Sequence, residues 1–315
     1  MEFKITKSDI EIAHESIHNH IHKTPILTSE SINKILGCEV FFKCENFQKI
    51  GAFKARGGLN AVLSLPEEVR KRGVVTHSSG NHAQAIAMAA KVCNTPAYIV
   101  MPSTAPSVKK DAVAGYGAEI TFCEPTQKAR EENAESIQKE TGATFISPYN
   151  DYKVIEGQAT SAKEIFEVHA DLDAIFVPVG GGGLLAGTAL AAHYLSPHTK
   201  VFAGEPANAD DAYDSFKAGK IIKKPQPKSI ADGLLTGVGD KNFEIIKALV
   251  SDIFTVSEDE IIGSMKLVWE RMKIIIEPSS AVPIAALLKH KEHFKNKKIG
   301  LIISGGNIDL AKLPF

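Results

Sequence analysis

Val177-Pro178-Val179-Gly180-Gly181-Gly182-Gly183-Leu184-Leu185-Ala186-Gly187 is the stretch on which the fold turns. An apolar run of strand character ends in four consecutive glycines and passes directly into an apolar helical pattern. Each glycine in ordered structure costs about 0.5–1 kcal/mol of backbone entropy relative to alanine, so the run carries roughly 2–4 kcal/mol that something must offset. A bound anion would do so, because bare amides at a helix N-terminus point at a phosphate and the missing Cβ atoms let it approach. The alternative is a tight strand-to-helix turn with no ligand. A dinucleotide fingerprint is excluded, since the G-x-G-x-x-G spacing and the acid that follows it are missing.

The same alternation continues on both sides of this turn. Strand-like runs cover residues 40–42, 74–76, 97–100, 119–122, 174–179, 201–203, 253–256 and 299–303, and helical patterns cover 82–92, 127–140, 184–194, 258–272 and 281–289. Ser8 followed by Glu11 reads as a capping box for a first helix that buries Ile10, Ala13 and Ile17. Several strands, such as 299–303, are continuously apolar, which suits parallel sheets covered on both faces by helices. The predicted fold class is α/β: two lobes of open doubly wound sheets flanked by helices. Residues 73–148 carry their own strand-helix repeats and form the expected small mobile domain, with 1–72 and 149–315 as the large one.

Composition narrows the function. At 44% hydrophobic and 23% charged residues, the 315-residue chain has the material for a sizeable core. With 36 basic against 37 acidic residues it shows no basic face for nucleic acid. Cys38, Cys44, Cys93 and Cys123 lack metal or redox spacing and read as reduced thiols, which favours a cytoplasmic setting. No apolar run is long enough to span a bilayer, and the first residues do not resemble a secretory signal.

Ligands of such sheets bind beyond the carboxyl ends of the strands, so the polar loops there are the candidate sites. Ser78-Ser79-Gly80-Asn81-His82 is a strand-to-helix junction rich in short donors, suited to a carboxylate, or simply to capping a helix. Ser304-Gly305-Gly306-Asn307 follows the last apolar strand, and Phe53-Lys54 opens a helical pattern after Gly51. A lysine alone is nearly always a solvated surface group, so Lys54 gains meaning only from this company.

Together, and in this order, these motifs resemble the fold-type II pyridoxal-phosphate enzymes, with a tryptophan synthase β-like fold. The resemblance spans nearly the whole chain. Phe41-Phe42-Lys43-Cys44-Glu45, Thr76-His77-Ser78-Ser79, Asn208-Ala209-Asp210-Asp211 and Val268-Trp269-Glu270-Arg271-Met272-Lys273 make it most similar to the racemase branch of the serine/threonine dehydratase family. The resemblance implies pyridoxal 5′-phosphate attached to Lys54, with Phe53 against its ring, Asn81 at the ring hydroxyl, Gly180, Gly181, Gly182 and Gly183 around the phosphate, and Ser304 at the ring nitrogen. It implies racemisation of serine, with Lys54 and Ser79 as the acid-base pair on opposite faces, accompanied by elimination to pyruvate and ammonia. Related threonine dehydratases usually carry alanine where Ser79 stands. A threonine/serine dehydratase without racemisation is the alternative, and a non-catalytic binding protein is a third reading.

The same resemblance implies that Ser78, Ser79, Asn81, His82 and Arg130 hold the substrate. Glu205, the Ala209 carbonyl and Asp211 would bind Mg2+, or Ca2+ or Mn2+, although acids at a helix start explain the two side chains equally from the residues alone. It also implies a homodimer with ATP as a nucleotide effector near Asn81, Gln84, Tyr116, Lys273 and Asn307. No segment carries the pattern of a hydrolysing ATPase.

Overall fold

The computed structural model describes residues 3–315 apart from Ser79, Pro106 and Gln226, and only the backbone of Ser107 and Val108. Its strands are β1 (Ile26–Leu27), β2 (Glu39–Cys44), β3 (Val74–His77), β4 (Ala97–Pro102), β5 (Glu119–Cys123), β6 (Thr144–Phe145), β7 (Ala174–Pro178), β8 (Lys200–Pro206), β9 (Val250–Val256) and β10 (Lys298–Ile303). They form a six-stranded sheet in the order β1-β2-β10-β7-β8-β9 and a four-stranded sheet in the order β5-β4-β3-β6. All pairings are parallel except β1 with β2. The eight strand-like runs are all strands, and the five helical patterns are all helices. The short β1 and β6 were invisible to periodicity.

Burial explains the continuous apolar runs. Every residue of β7 is buried, and alternate residues serve opposite faces. Ile175, Val177 and Ile302 pack into one core with Ile155 and Leu185, while Phe176, Leu301 and Ile303 pack into another with Phe42 and Val282. Ile303 lies beside Cys44, and β7 ends one strand away, so the loops that begin at residues 45, 179 and 304 leave the same edge of the sheet. The four-stranded sheet presents His77, beside Val100, at the corresponding end. No helix among the described residues is long and apolar enough to cross a membrane.

Two details differ from the sequence reading. The first helix spans Lys7–Ile17, and its capping box is Thr6 with Asp9, not Ser8 with Glu11; Ile10, Ala13 and Ile17 are buried as expected. The long helix Tyr152–Val168 was not among the helical patterns read from the sequence, although Val154, Ile155, Ala159, Ala162, Ile165 and Phe166 recur at helical spacing on its buried face; it also buries Glu156, Gln158, Thr160, Ser161 and Glu164. Glu164 belongs to a buried charge cluster. Arg56 binds Glu45 at 2.8 and 2.9 Å and Glu164 at 2.8 and 2.9 Å, and Lys43 binds Glu164 at 2.5 Å. All four side chains are at most 2% exposed, and their formal charges cancel. The cluster fastens β2, the helix Lys54–Leu63 and the helix Tyr152–Val168 to one another.

Candidate active site

Lys54 begins its helix, and the backbone before it is tied to the end of β10. The Phe53 amide donates to the Ser304 carbonyl at 2.9 Å, and Ala52 bridges to Gly305. Part of the residue still faces the cleft, but the amine itself is enclosed. It donates to the Pro148 carbonyl at 2.6 Å and lies 5.1 Å from the centre of the Phe53 ring. Burial lowers its pKa to about 8, against an opposing pull from Glu277. It forms no ion pair among the described residues. Roughly a quarter of such amines are neutral at pH 7.5, against about one in a thousand for an ordinary lysine. That suits a nucleophile that must lose its proton before reacting.

The glycine turn meets the lysine through consecutive residues. Pro148 holds the amine, and the ring of Tyr149 lies on the turn so closely that a Cβ at Gly181 would come within 2.4 Å of it. Gly182 caps the helix Gly183–Leu195 at φ +92°, a conformation that excludes most side chains. Thr236 Oγ1 accepts from the Gly181 amide at 3.2 Å, and Asn242 Nδ2 donates to the Gly181 carbonyl at 2.6 Å. The amides of Gly182, Gly183, Leu184 and Leu185 are buried and have no acceptor among the described residues. Unpaired buried donors at a helix start are costly, and a phosphate satisfies them. The turn fits the phosphate expected of it.

At the third loop Ser304 is 2% exposed and its hydroxyl lies 3.0 Å from that of Ser280. Ser280 Oγ is 2.7 Å from the Gly305 carbonyl, which can only accept, so the Ser280 proton is committed there and Ser304 is the donor to Ser280, a proton that it would redirect to meet a ring nitrogen. Asn81 Nδ2 donates to Glu277 at 3.1 and 3.2 Å, and Asn307 Nδ2 donates to Asn81 Oδ1 at 2.8 Å. Burial, with Asp232 second, raises Glu277 to about 7. Sequence reasoning missed Ser280 and Glu277. Glu277-Pro278 is an N-cap followed by proline at the first helical position, a signal that places this helix three residues earlier than its apolar pattern does.

Among the expected substrate residues, Ser78 accepts from the Gly80 amide at 3.2 Å. Ser79 lies outside the described residues. His82 is buried, and burial pulls its pKa down to about 3. Its Nε2 meets the Ile146 carbonyl at 3.2 Å and so carries the ring proton, leaving Nδ1 a buried acceptor without a partner among the described residues. The neutral ring therefore has no proton to give a carboxylate; the backbone amide of His82, in the first turn of its helix, is the donor available. Arg130 stands on the helix Gln127–Thr141, near enough to act on His77, whose pKa burial and then Arg130 lower, and on Tyr149, whose pKa burial raises against the pull of Arg130.

Glu205 and Asp211 are fully or nearly fully buried, and burial raises both, Glu205 well above the usual range. Glu205 accepts from the Ala212 and Tyr213 amides at 2.9 and 2.7 Å, and Asp211 from Val238 at 2.8 Å. Neither forms an ion pair among the described residues, and the Ala209 carbonyl has no donor there. Two buried acids and a spare carbonyl are a hard-cation donor set, although the helix-start role is also real. The described residues hold no group of three or more His, Cys, Asp or Glu suited to a metal. Of the expected nucleotide residues, Asn81 and Asn307 are joined and Gln84 is buried in the same helix as Asn81. Tyr116 instead has its ring centre 6.0 Å from the Lys91 amine, and Lys273 ends a helix at φ +60°.

Residues 17–305 match the family model described as pyridoxal-phosphate dependent enzyme. The chain is 51% identical over 98% of both sequences to a β-hydroxyaspartate dehydratase of Paracoccus denitrificans. It is 52% identical to a serine racemase of Dictyostelium discoideum, covering 98% of this chain and 97% of the other. The crystal structure of a Dictyostelium discoideum serine racemase superposes with a TM-score of 0.93 over 97% of this chain and 99% of that one.

Proposed function

Because the chain belongs to the pyridoxal-phosphate dependent enzymes, we propose that it is a serine racemase interconverting L- and D-serine, with β-elimination to pyruvate and ammonia as a side activity. The observation that carries this reading is the pairing of Pro148 with Tyr149: one holds the buried Lys54 amine and the next covers a turn whose amides await an anion. Lys54 would hold the cofactor, Gly180 to Gly183 its phosphate, Asn81 its ring oxygen, Ser304 its ring nitrogen, and Phe53 would lie along it. Once bound, the cofactor supplies an electron sink for the pair left at the α-carbon when its proton departs.

The chain's own residues then decide the outcome. The Lys54 amine, with its lowered pKa, exchanges a proton with the substrate α-carbon on one face, and the Ser79 hydroxyl does so on the other. Ser78 and the amides at the start of the helix Asn81–Val92 take the substrate carboxylate, with Arg130 brought to it by closure of the small domain, residues 73–148. Glu205, Asp211 and the Ala209 carbonyl bind Mg2+, or Ca2+ or Mn2+. The enzyme works in the cytoplasm as a homodimer, with ATP as effector at Asn81, Gln84, Tyr116, Lys273 and Asn307.

Purified protein given L-serine, with D-serine and pyruvate measured separately, tests the reading: D-serine is expected, and pyruvate without it refutes racemisation. Ser79→Ala is expected to abolish racemisation while leaving elimination of L-serine, and equal loss of both removes Ser79 from its role. The similarity to the Paracoccus denitrificans protein favours a second reading, elimination from a hydroxy-amino acid with a second carboxylate. β-Hydroxyaspartate in the same assay separates the two.

A further inference from the structure

Glu277 is 4% exposed, sits among the active-site loops, and has no part in the chemistry described so far. Its oxygens accept from Asn81 Nδ2 at 3.1 and 3.2 Å and from the Asn307 backbone amide at 3.2 Å. The direction of these bonds is fixed from outside. The Ile50 carbonyl can only accept, so the group of Asn307 facing it at 2.6 Å is Nδ2. The same Nδ2 donates to Asn81 Oδ1 at 2.8 Å, which leaves the Asn81 Nδ2 on the Glu277 side. Every group that meets the carboxylate is therefore a donor. A proton on Glu277 would face N–H groups and find no acceptor among the described residues.

We propose that Glu277 is a positioning residue whose carboxylate fixes the Asn81 amide so that its second Nδ2 hydrogen is offered to the ring oxygen of the bound cofactor. The inference rests on the cofactor reading above. Without the carboxylate, the terminal torsion of an asparagine is broad and roughly two-fold, so either end of the amide can face the ligand. The charges around Glu277 come from five elements. Asp232 opposes its ionisation, whereas Lys109, paired with Asp232 at 2.6 Å, and Lys54 favour it. The helices Asn81–Val92 and Pro278–Lys289 both start here with their positive ends. The balance puts the proton equilibrium near pH 7, so the clamp is engaged above that pH and released below it.

The absorption spectrum of bound pyridoxal phosphate reports the protonation of its ring oxygen, and it provides the test. The wild-type spectrum and kcat/KM are expected to change together with a midpoint near pH 7. Glu277→Gln, which cannot ionise, is expected to keep the cofactor, lose that midpoint, and fall about tenfold in kcat/KM at pH 8. Glu277→Asp is expected to restore a midpoint, and Asn81→Ala to abolish the spectral change although Glu277 is intact. A wild-type spectrum that is flat from pH 5.5 to 8.5, or a Glu277→Gln spectrum with the wild-type midpoint, overturns the inference alone. Wild-type protein that binds no pyridoxal phosphate overturns the cofactor reading and this inference with it.

Discussion

Replacing Arg56 by methionine removes one member of the buried charge cluster while nearly keeping its volume. The guanidinium makes four charge-assisted hydrogen bonds, two to Glu45 and two to Glu164, and a fifth to Thr160 at 3.2 Å. Lys43 still serves Glu164, but Glu45 keeps only the Thr24 hydroxyl at 2.6 Å, so a fully buried carboxylate is left without a hydrogen-bonded cation and the cluster with an uncompensated negative charge. Breaking a buried pair in this way costs about 3–5 kcal/mol. For 315 residues the unfolding entropy is about 0.7 kcal/mol per kelvin, so the melting temperature is expected to fall by about 5–8 °C at pH 7.5. The loss also depends on pH. In the wild type, burial pushes Glu164 up, but Arg56 and then Lys43 outweigh it and hold its pKa below the usual range. A depressed carboxylate adds stability above its unfolded pKa and loses it as pH falls through the folded one, so removing Arg56 costs most at neutral pH and least near pH 4. Circular dichroism melts of both proteins at pH 7.5 and pH 5 measure this. A shift under about 2 °C at pH 7.5, or a shift that is larger at pH 5, refutes the reasoning.

Three further outcomes are expected. Gly181→Ala puts a Cβ into the Tyr149 ring, an overpacking of about 1–3 kcal/mol, and should weaken pyridoxal-phosphate binding about tenfold or more by fluorescence titration; unchanged affinity refutes the role of the close approach. Borohydride reduction should leave the cofactor's added mass on wild-type protein and not on Lys54→Ala, and added mass on the variant moves the attachment elsewhere. A chelator should lower the melting temperature and Mg2+ restore it, with no response in Glu205→Gln; a wild type indifferent to chelation argues against the cation site.

The strands and the glycine turn were legible because each states its environment locally. A run such as Ile299-Gly300-Leu301-Ile302-Ile303 is apolar throughout because helices cover both faces, and Gly180 to Gly183 show in one dimension that no side chain fits there. The roles expected of Lys54 and Ser304 rest on resemblance alone, since neither residue type at its position announces chemistry. Other features depend on partners far away in the chain. Tyr152–Val168 has the apolar spacing of a helix, but the burial of its Glu164 makes sense only once Arg56 and Lys43, more than ninety positions upstream, are folded against it. Glu277 looks like an ordinary acid before a proline until folding buries it and sets Asn81 and Asn307 against it. The sequence by itself determined the α/β alternation and the position of the glycine turn between strand and helix, because backbone entropy and apolar spacing are properties of neighbours. Tertiary structure alone decided which way the pKa values of Lys54, His82 and Glu277 move and the direction of the Asn81 amide, because desolvation and hydrogen-bond polarity are set by groups that only the fold brings together.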